Sequence, residues 1–407
     1  MDILFIHPNF PGQFRQLAAY FVQQPNTRVF AVGDATWVAD DAPIEGVALM
    51  TYATPETPAD GVHRYNRSMD TAVRRAEAVK DLLLAQKRLG FEPEVIITHP
   101  GWGDAFFIKE LFPMTPVIGF FEFFYHPRGA DVGFDPEFPS GVDDIFRLKI
   151  LNTIQLLALE SCDVRISPTH WQKGLFPKAY QASIQVVHEG VDVARLLPNP
   201  EAKVHLANGS VLTRQDEVLT FVSRSLEPYR GYHQFMRALP AILAERPQCQ
   251  VLIVGNHDVS YGPKPRDGVS YQEKYWQEVA PRCDTSRVHF LGSLPYDDYL
   301  SVLSISRAHV YLTYPFVLSW SAMEAMALGC TLIASDTTPV REVMRHNENA
   351  LLVPFFDTQQ LSESVISVLA SPERFRSLGQ QARQDILSQY DAQQGFAYYH
   401  DLVKSLV

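Results

Sequence analysis

Cysteine is scarce: the 407 residues contain four, Cys162, Cys249, Cys283 and Cys330, far apart and with no CxxC pair. That excludes a disulfide scaffold and a zinc framework, and the four read as buried thiols in a reducing compartment. No run approaches the ~18 uninterrupted apolar residues that a membrane-spanning helix needs. The opening MDILFIHP has neither a basic lead nor a long apolar core, so it reads as a first strand and not as a signal peptide. An excess of basic charge is also missing. The 35 Lys+Arg against 46 Asp+Glu leave a formal charge of −11, which argues against non-specific nucleic-acid binding. It leaves room for a local basic pocket that takes a phosphorylated ligand. Several local templates are absent as well: GxGxxG after a strand, GxxxxGKS/T, GxSxG and HExxH. A dinucleotide dehydrogenase, a P-loop NTPase and a zinc hydrolase therefore lose weight.

What is present is ordinary globular composition, 46% apolar and 20% charged, at a length that suggests two to three domains of ~100–200 residues. Short apolar runs alternate with longer amphipathic ones, the rhythm of parallel α/β units. In the first half the runs are Asp2–His7, Arg28–Gly33, Val47–Tyr52, Val95–His99, Pro116–Glu122, Val164–Ser167 and Ile184–His188. The clearest helical period covers Arg67–Leu89, where Ala72, Ala76, Val79 and Leu83 recur. The rhythm breaks at Leu196–Lys203, with two prolines and no period, and polar residues persist to Glu217; a linker plus an ornamental loop or hairpin is expected there. A second series follows at Val218–Arg224, Gln250–Gly255, Val288–Gly292, His309–Thr313, Thr331–Ser335 and Ala350–Pro354. Helical patterns close the chain at Leu361–Leu369, Pro372–Ser388 and Gln393–Leu406. The expected fold class is α/β, two doubly wound Rossmann-like domains facing a central cleft. Ligands in such sheets bind outside the carboxyl ends of the strands.

The second half carries phosphate-type features. Val218–Arg224 runs into Ser223–Gly231, and a helix begins near Tyr232. Arg224 and Arg230 flank the turn, and two guanidinium groups with free helix N–H groups make a diphosphate site. The plainer reading is two surface arginines beside a loop. After His309–Thr313 comes the small apolar loop Tyr314–Ser321, then a helix capped by Ser319 or Ser321. Glu324 lies in its first turns among Ala and Met, where a carboxylate needs a partner. It is either a helix charge near the dipole end or an acceptor for sugar or ribose hydroxyls.

These residues stand in a longer register. Ser223–Gly231, Val254-Gly255-Asn256, Val288–Gly292, Glu324–Gly329, Ala334–Asp336, Pro339–Val343 and Asn349–Pro354 together resemble the nucleotide-diphospho-sugar domain of retaining family 4 glycosyltransferases of GT-B fold. Pro8–Gly12 and His188–Asp192 are consistent with the other half of that family. The resemblance implies an N-terminal Rossmann-like domain over 1–195 on the acceptor side and a donor domain over 196–385. It implies a final helix over 386–407 that packs back on the N-terminal domain, with closure hinged near Gly190–Asp192. It also implies that Arg224 and Arg230 hold the donor diphosphate, that Gly255 and Asn256 line the donor site, and that Gly12 lets the backbone approach the donor phosphates. Glu324 matches the second glutamate of the family's Glu-x7-Glu element, which binds the donor ribose. Where the first glutamate should stand, this sequence has Phe316. The N–H groups of Leu318 and Ser319 remain available for phosphate or sugar oxygens.

In the N-terminal half the family places a histidine after Pro-Val-x-x-x-x. Here Pro116–Glu122 puts Glu122 in that slot, with His126 four residues on and five aromatics between Phe120 and Tyr125. Glu122 or His126 would orient the donor sugar or the acceptor hydroxyl; the alternative is a buried strand end with an aromatic cluster. In His99–Asp104, His99 and Gly101 would approach a ligand and Trp102 offers a face for a sugar. The alternative is a tight turn capped by Asp104. Asp131–Asp135 is an acceptor loop or a surface turn, and His7 is likewise ambiguous, a site residue or a satisfied core histidine. A basic face on Arg67–Leu89 (Arg74, Arg75, Lys80, Lys87, Arg88) offers peripheral membrane contact, or simply a solvated helix face.

The resemblance implies hexose transfer, with retention, from a nucleoside diphosphate sugar (a UDP- or GDP-sugar) to a small, lipid-linked or glycan acceptor hydroxyl. No other cofactor is implied, and no nucleic-acid partner. Polysaccharide, glycolipid or glycoconjugate synthesis is the expected setting, in the cytoplasm or at the inner face of the membrane. Arginines and helix dipoles would neutralise the leaving group. No divalent ion is then needed, and no DxD-type pair stands after a strand; Asp40-Asp41, Asp143-Asp144 and Asp297-Asp298 read as loop or helix-start acids. Three rivals stay open: a nucleotide-sugar epimerase, a glycoside hydrolase or phosphorylase, and a non-catalytic nucleotide-sugar binder.

Overall fold

The computed structural model describes residues 1–38, 44–57, 60–265 and 267–407; Asp40 and Asp41 lie outside them. The chain divides into two compact units, Met1–Gly190 with Ala392–Val407, and Val191–Asp391. The expected borders, 195/196 and 385/386, lie a few residues from these hand-overs. Val191 pairs with Asp391 in an isolated parallel bridge, and its N–H donates to the Tyr390 carbonyl (2.9 Å).

In the first unit the strands are β1 (Asp2–Ile6), β2 (Arg28–Asp34), β3 (Val47–Tyr52), β4 (Val95–Thr98), β5 (Val117–Phe120), β6 (Val164–Ser167) and β7 (Ile184–Val186). They form one parallel seven-stranded sheet in the order β3-β2-β1-β4-β5-β6-β7. A parallel sheet covered on both faces needs apolar residues at every position, not every other one. Accordingly Ile3 to Ile6 are all 0% exposed. Ile3 and Phe5 point to one face, packed with Phe14, Leu17, Phe21, Phe396 and Val403. Leu4 and Ile6 point to the other, packed with Val79, Leu83, Leu159 and Phe176. The helix Ala392–Leu406 thus completes the core of this unit.

In the second unit the polar stretch after Leu196 is a hairpin, β8 (Lys203–His205) antiparallel to β9 (Val211–Thr213). Then come β10 (Val218–Ser225), β11 (Gln250–Asn256), β12 (Val288–Gly292), β13 (Ala308–Tyr311), β14 (Leu332–Ser335) and β15 (Leu351–Val353). These form a parallel six-stranded sheet in the order β12-β11-β10-β13-β14-β15. Both units are therefore doubly wound α/β layers. In each, the chain reverses its direction of winding at one place, between β1 and β4 and between β10 and β13. A crevice opens at the carboxyl ends of those strands, because the loops leave in opposite directions. All four cysteines are free; Cys283 is half-buried and the other three are buried. Among the described residues no helix is long and apolar enough to cross a membrane.

Candidate functional site

The second unit presents its polar groups at the β10/β13 reversal, and the two arginines there are not equivalent. Arg224, on the last turn of β10, is exposed and makes no hydrogen bond or ion pair with the described residues. Arg230, in the turn Pro228–Arg230, is only 5% exposed. Its Nη1 donates to the Val317 carbonyl (2.8 Å) and to Thr313 Oγ1 (3.0 Å), and lies 3.5 Å from Tyr311 Oη. The guanidinium sits over the rings of Tyr261 (5.0 Å) and Phe316 (5.8 Å). Burial works against its charge, but the Tyr311 and Tyr261 hydroxyls and Glu227 hold its pKa above the ordinary value. Phe316, in the slot of the family's first glutamate, thus belongs to an aromatic wall with Tyr229 and Tyr261.

Sequence reasoning missed the residue that organises this wall. Glu227 is fully buried, and its carboxylate accepts from the N–H groups of Ser260 (3.0 Å), Tyr261 (3.2 Å to each oxygen) and Gly262 (2.9 Å). It fixes the loop that lays Tyr261 over Arg230. Burial raises its pKa against these hydrogen bonds. The available signal was an acid between Leu226 and Pro228, at the end of an apolar strand, where a buried charge demands partners.

Gly255, the penultimate residue of β11, has φ +149°, and a Cβ there would lie 2.5 Å from the Ser223 carbonyl oxygen, so the close approach of two backbones requires glycine. Asn256 accepts at Oδ1 from Ser225 Oγ (2.9 Å) and Asp258 N (3.0 Å). The helix Tyr232–Glu245 begins at Gly231 with no side-chain cap, which leaves its first N–H groups to other partners. Of the two expected backbone donors, Ser319 N–H is already taken by Tyr311 Oη (3.0 Å). The Leu318 N–H makes no hydrogen bond among the described residues. Ser319 caps the helix Trp320–Ala327, accepting from Ala322 N. Glu324 has its partners: Tyr296 Oη donates to Oε1 and Tyr299 Oη to Oε2, both at 2.6 Å. Each carboxylate oxygen can accept a second hydrogen bond, so the phenols orient Glu324 without saturating it.

The first unit gathers a second polar cluster at the β1/β4 reversal. His7 and His99 follow β1 and β4, with ring centroids 5.3 Å apart. Asn9 N–H donates to His7 Nδ1 (3.0 Å), so the proton sits on Nε2, which donates to Gln13 Oε1 (2.8 Å). Gln13 Nε2 in turn donates to Glu122 Oε1 (3.3 Å), and Glu122 Oε2 lies 3.5 Å from His99 Nε2. Burial, and then His99, push the His7 pKa down to about 3, so this ring stays neutral, a satisfied core histidine that anchors a relay to Glu122. Gly12 closes against it: φ is +44°, and a Cβ would fall 2.6 Å from His7 Cε1. His126 stands apart, its Nε2–H donating to the Leu175 carbonyl (2.6 Å). Asp131 and Asp135 are buried, while Gly133 between them is exposed in a turn closed by Phe134 N–H on the Asp131 carbonyl (3.2 Å).

Gly101 and Trp102 form the turn Pro100–Trp102. Asp104, expected as a cap, is 1% exposed, and neither carboxylate oxygen has a hydrogen bond from another residue among the described ones. Both His99 nitrogens and Thr98 Oγ1 are also buried without a hydrogen bond among the described residues, although His99 Nε2 lies beside Glu122. Burial pushes the Asp104 pKa up to about 6, although Arg75 and His99 pull it down. Arg75 is 4% exposed, with Nη1 on the Trp102 carbonyl (3.1 Å), Nε on Thr54 Oγ1 (3.4 Å) and its guanidinium over Trp37 (4.6 Å). Of the five cations expected on the face of the helix Arg67–Arg88, Arg75 is the one that is buried. Arg75 points inward, Arg74 pairs with Asp70, Lys80 with Glu77 and Asp81, and Lys87 with Glu92. Acids one turn away or next in sequence pair with Arg74 and Lys80, and Glu92, just past the helix, pairs with Lys87.

The model of the glycosyl transferase family 4 group matches residues 26–196, and that of glycosyl transferases group 1 matches residues 208–385. The chain is similar to a phosphatidyl-myo-inositol mannosyltransferase of Mycolicibacterium smegmatis, 28% identical over 190 residues, which is 45% of this chain and 42% of that protein. It spans less than half the length of the first curated relatives it matches. The solved sucrose-phosphate synthase from Thermosynechococcus elongatus has a TM-score of 0.72 at 20% identity, covering 100% of this chain and 99% of that one. Anabaena HepE, solved in complex with UDP and glucose, has a TM-score of 0.70 at 16% identity with full coverage of both. At these identities the structural likeness is one of fold, and the two sequence matches lie in tandem over the two doubly wound units. The chain belongs to the family 4 glycosyltransferases and has their GT-B type fold.

Proposed function

We propose that the protein transfers a hexose from a UDP- or GDP-sugar to an acceptor hydroxyl, with retention at the anomeric carbon. The observation that carries this reading is Arg224, an exposed guanidinium with no partner among the described residues, at the strand end where the sheet reverses. It stands in one turn with a buried, prepositioned Arg230 and an uncapped helix start. As the bond to the anomeric carbon breaks, negative charge grows on the diphosphate. Donors already in place stabilise that charge without reorganising. Arg224 supplies the free cation and Arg230 a fixed positive field, and the Leu318 N–H adds a donor. Glu324, held by two phenols, takes the ribose hydroxyls. The reading needs no divalent ion, because arginine and the helix start do the neutralising. On the acceptor side, Glu122 is oriented through Gln13 and beside His99. It either supports same-face attack or acts as a nucleophile. The acceptor is a small, lipid-linked or glycan hydroxyl; the relative named for phosphatidyl-myo-inositol supports that class.

One observation favours a second reading. Phe316 puts an aromatic ring over Arg230 where the family's first glutamate would position the sugar, so nucleotide-sugar binding without turnover is the alternative. Thermal shift with UDP and GDP, followed by product analysis with each nucleotide sugar and a panel of acceptors, tests both. Stabilisation by one nucleotide and an acceptor-dependent glycoside of unchanged anomeric configuration are expected. Stabilisation without any product would leave the binder, epimerisation without acceptor would make it an epimerase, and no stabilisation by either nucleotide would end the donor assignment.

A further inference from the structure

A glutamate carboxylate turns about a soft terminal bond, so a single hydrogen bond pins only one of its oxygens. Glu324 is pinned at both, by Tyr296 on Oε1 and by Tyr299 on Oε2, and the two phenols are themselves held differently. Tyr299 is 8% exposed and packed in the core of the second unit with Val302 and Leu303. Tyr296, at the start of the helix Tyr296–Ile305, is 38% exposed, so packing alone does not hold its ring. Its face is covered by Arg195, whose guanidinium carbon lies 4.4 Å from the ring centroid. Arg195 Nη2 also donates to Asp297 Oδ1 (2.8 Å), but an ion pair between two exposed side chains is worth little by itself. Arg195 belongs to the turn through which the chain enters the second unit. Asp192 Oδ1 accepts from the N–H groups of Ala194 (3.1 Å) and Arg195 (3.2 Å), and Leu196 is buried, its carbonyl accepting from Arg383 Nη1 (2.8 Å). A fixed turn thus presents this guanidinium to Tyr296.

We infer that Arg195 is a positioning residue for the nucleotide donor, acting through the Tyr296 ring on the Glu324 carboxylate. The guanidinium is drawn to the negative face of the ring and holds it where its hydroxyl meets Oε1. Partial burial, and then the Glu324 charge, raise the Tyr296 pKa, so the phenol stays protonated and donates. The plane of the carboxylate is then set at both oxygens, and each keeps one acceptor position. That is the arrangement that takes two neighbouring hydroxyls of a ribose. Without Arg195 the half-exposed ring gains rotamer freedom, and Glu324 keeps the oxygen fixed by Tyr299 and loses the hold on the other. Arg195 need touch no part of the nucleotide for this; it acts on the residue that does.

The inference rests on the reading of Glu324 as the ribose acceptor, and the test separates the two. Binding of UDP and GDP, and of their 2′,3′-dideoxy analogues, which lack both hydroxyls, is measured by calorimetry on the full chain and on Arg195→Ala, Arg195→Lys, Tyr296→Phe and Glu324→Gln. The wild type should prefer the ribose form of the nucleotide it binds by about tenfold or more, as for hydrogen bonds to a charged group. Arg195→Ala should lower that preference by about two- to fivefold, the loss of an exposed cation–π contact, by weakening the ribose form alone. Arg195→Lys should restore part of it. Tyr296→Phe, which keeps the ring and the cation but not the hydroxyl, should lower it at least as far as Arg195→Ala. A merely structural role would weaken ribose and dideoxy forms alike, and that result in Arg195→Ala overturns the inference. So does an unchanged preference in Arg195→Ala or in Tyr296→Phe while Glu324→Gln abolishes it. If Glu324→Gln keeps the wild-type preference, or if neither nucleotide binds the wild type, the ribose assignment of Glu324 falls and the role of Arg195 falls with it.

Discussion

Arg224→Ala and Arg230→Ala should fail in different ways, because the structure separates two residues that look alike in sequence. Arg224 is exposed and touches no other polar group among the described residues, so its loss leaves no atom orphaned. Arg224→Ala should keep the wild-type melting temperature and lose about a hundred- to a thousandfold in kcat, the effect of removing one preorganised anion donor. Arg230→Ala strips a partner from the Val317 carbonyl and from Thr313, at about 1–3 kcal/mol for buried groups left unpaired, and removes cation–π contacts worth about 0.5–2 kcal/mol. A central loss of about 3 kcal/mol in a unit of about 200 residues should lower its melting temperature by about 6–12 °C. Initial rates with the stabilising nucleotide's sugars, run beside scanning fluorimetry, separate the two. Arg224→Lys should recover part of the rate, since the charge returns without the bidentate fork. Wild-type kcat in Arg224→Ala, or an Arg224→Ala protein that melts as early as Arg230→Ala, would refute the division of labour.

Other consequences are checked the same way. Glu324→Gln should raise the KM for the donor more than it lowers kcat, while Tyr299→Phe, which removes a buried hydrogen bond to a charge, should cost about 1.5–3 kcal/mol of stability in a urea titration; unchanged values in both would show that the phenols do not hold Glu324. Gly12→Ala forces alanine into left-handed backbone, about 1–2 kcal/mol, and drives its Cβ into the His7 ring. It should displace His7 from Gln13, visible in the His7 ring NMR signals, and an undisturbed His7 would contradict the packing. Asp104 is protonated in the folded state up to about pH 6 but only to 3.8 ordinarily. The folded state therefore binds the extra proton, and stability falls as pH rises through that window. Asp104→Asn should flatten this part of the stability–pH curve and gain up to roughly 3 kcal/mol at pH 7; parallel curves would refute the burial argument.

Sheet strands were legible because buried parallel strands are continuous apolar runs, and both series of runs became strands with ends shifted by a residue or two. Val95–His99 became Val95–Thr98, and Pro116–Glu122 became Val117–Phe120. His99 and Glu122 were thereby released from the ladder to point their side chains at each other. What sequence could not show was pairing over distance. Arg230 finds Thr313 and Val317 across 83 and 87 residues, Glu324 finds its tyrosines across 28 and 25, and Gln13 reaches Glu122 across 109. Proximity in sequence made Arg224 and Arg230 look like one clamp; burial, which only the packed sheet decides, made one of them part of the wall. On the Arg67–Arg88 helix the local acids that pair with Arg74 and Lys80 were legible, and the burial of Arg75, again decided by packing, was not.

Two buried acids now stand in contrast. Glu227 and Asp104 are both removed from water, and burial raises the pKa of both. Glu227 recovers that cost through the Ser260, Tyr261 and Gly262 N–H groups and in return orders a loop. Asp104 recovers part of it from the charges of Arg75 and His99, but no hydrogen bond from another residue among the described ones. A fold selected only for stability would place an amide or an apolar side chain there, since replacing an unsatisfied buried polar group by a neutral one is neutral or favourable. The two acids should therefore respond oppositely to neutralisation. Glu227→Gln should destabilise the second unit and loosen Tyr261, while Asp104→Asn should stabilise the first unit. Were both variants to lose stability alike, Asp104 would be a structural residue with partners of its own, and the unpaired cluster would lose its meaning.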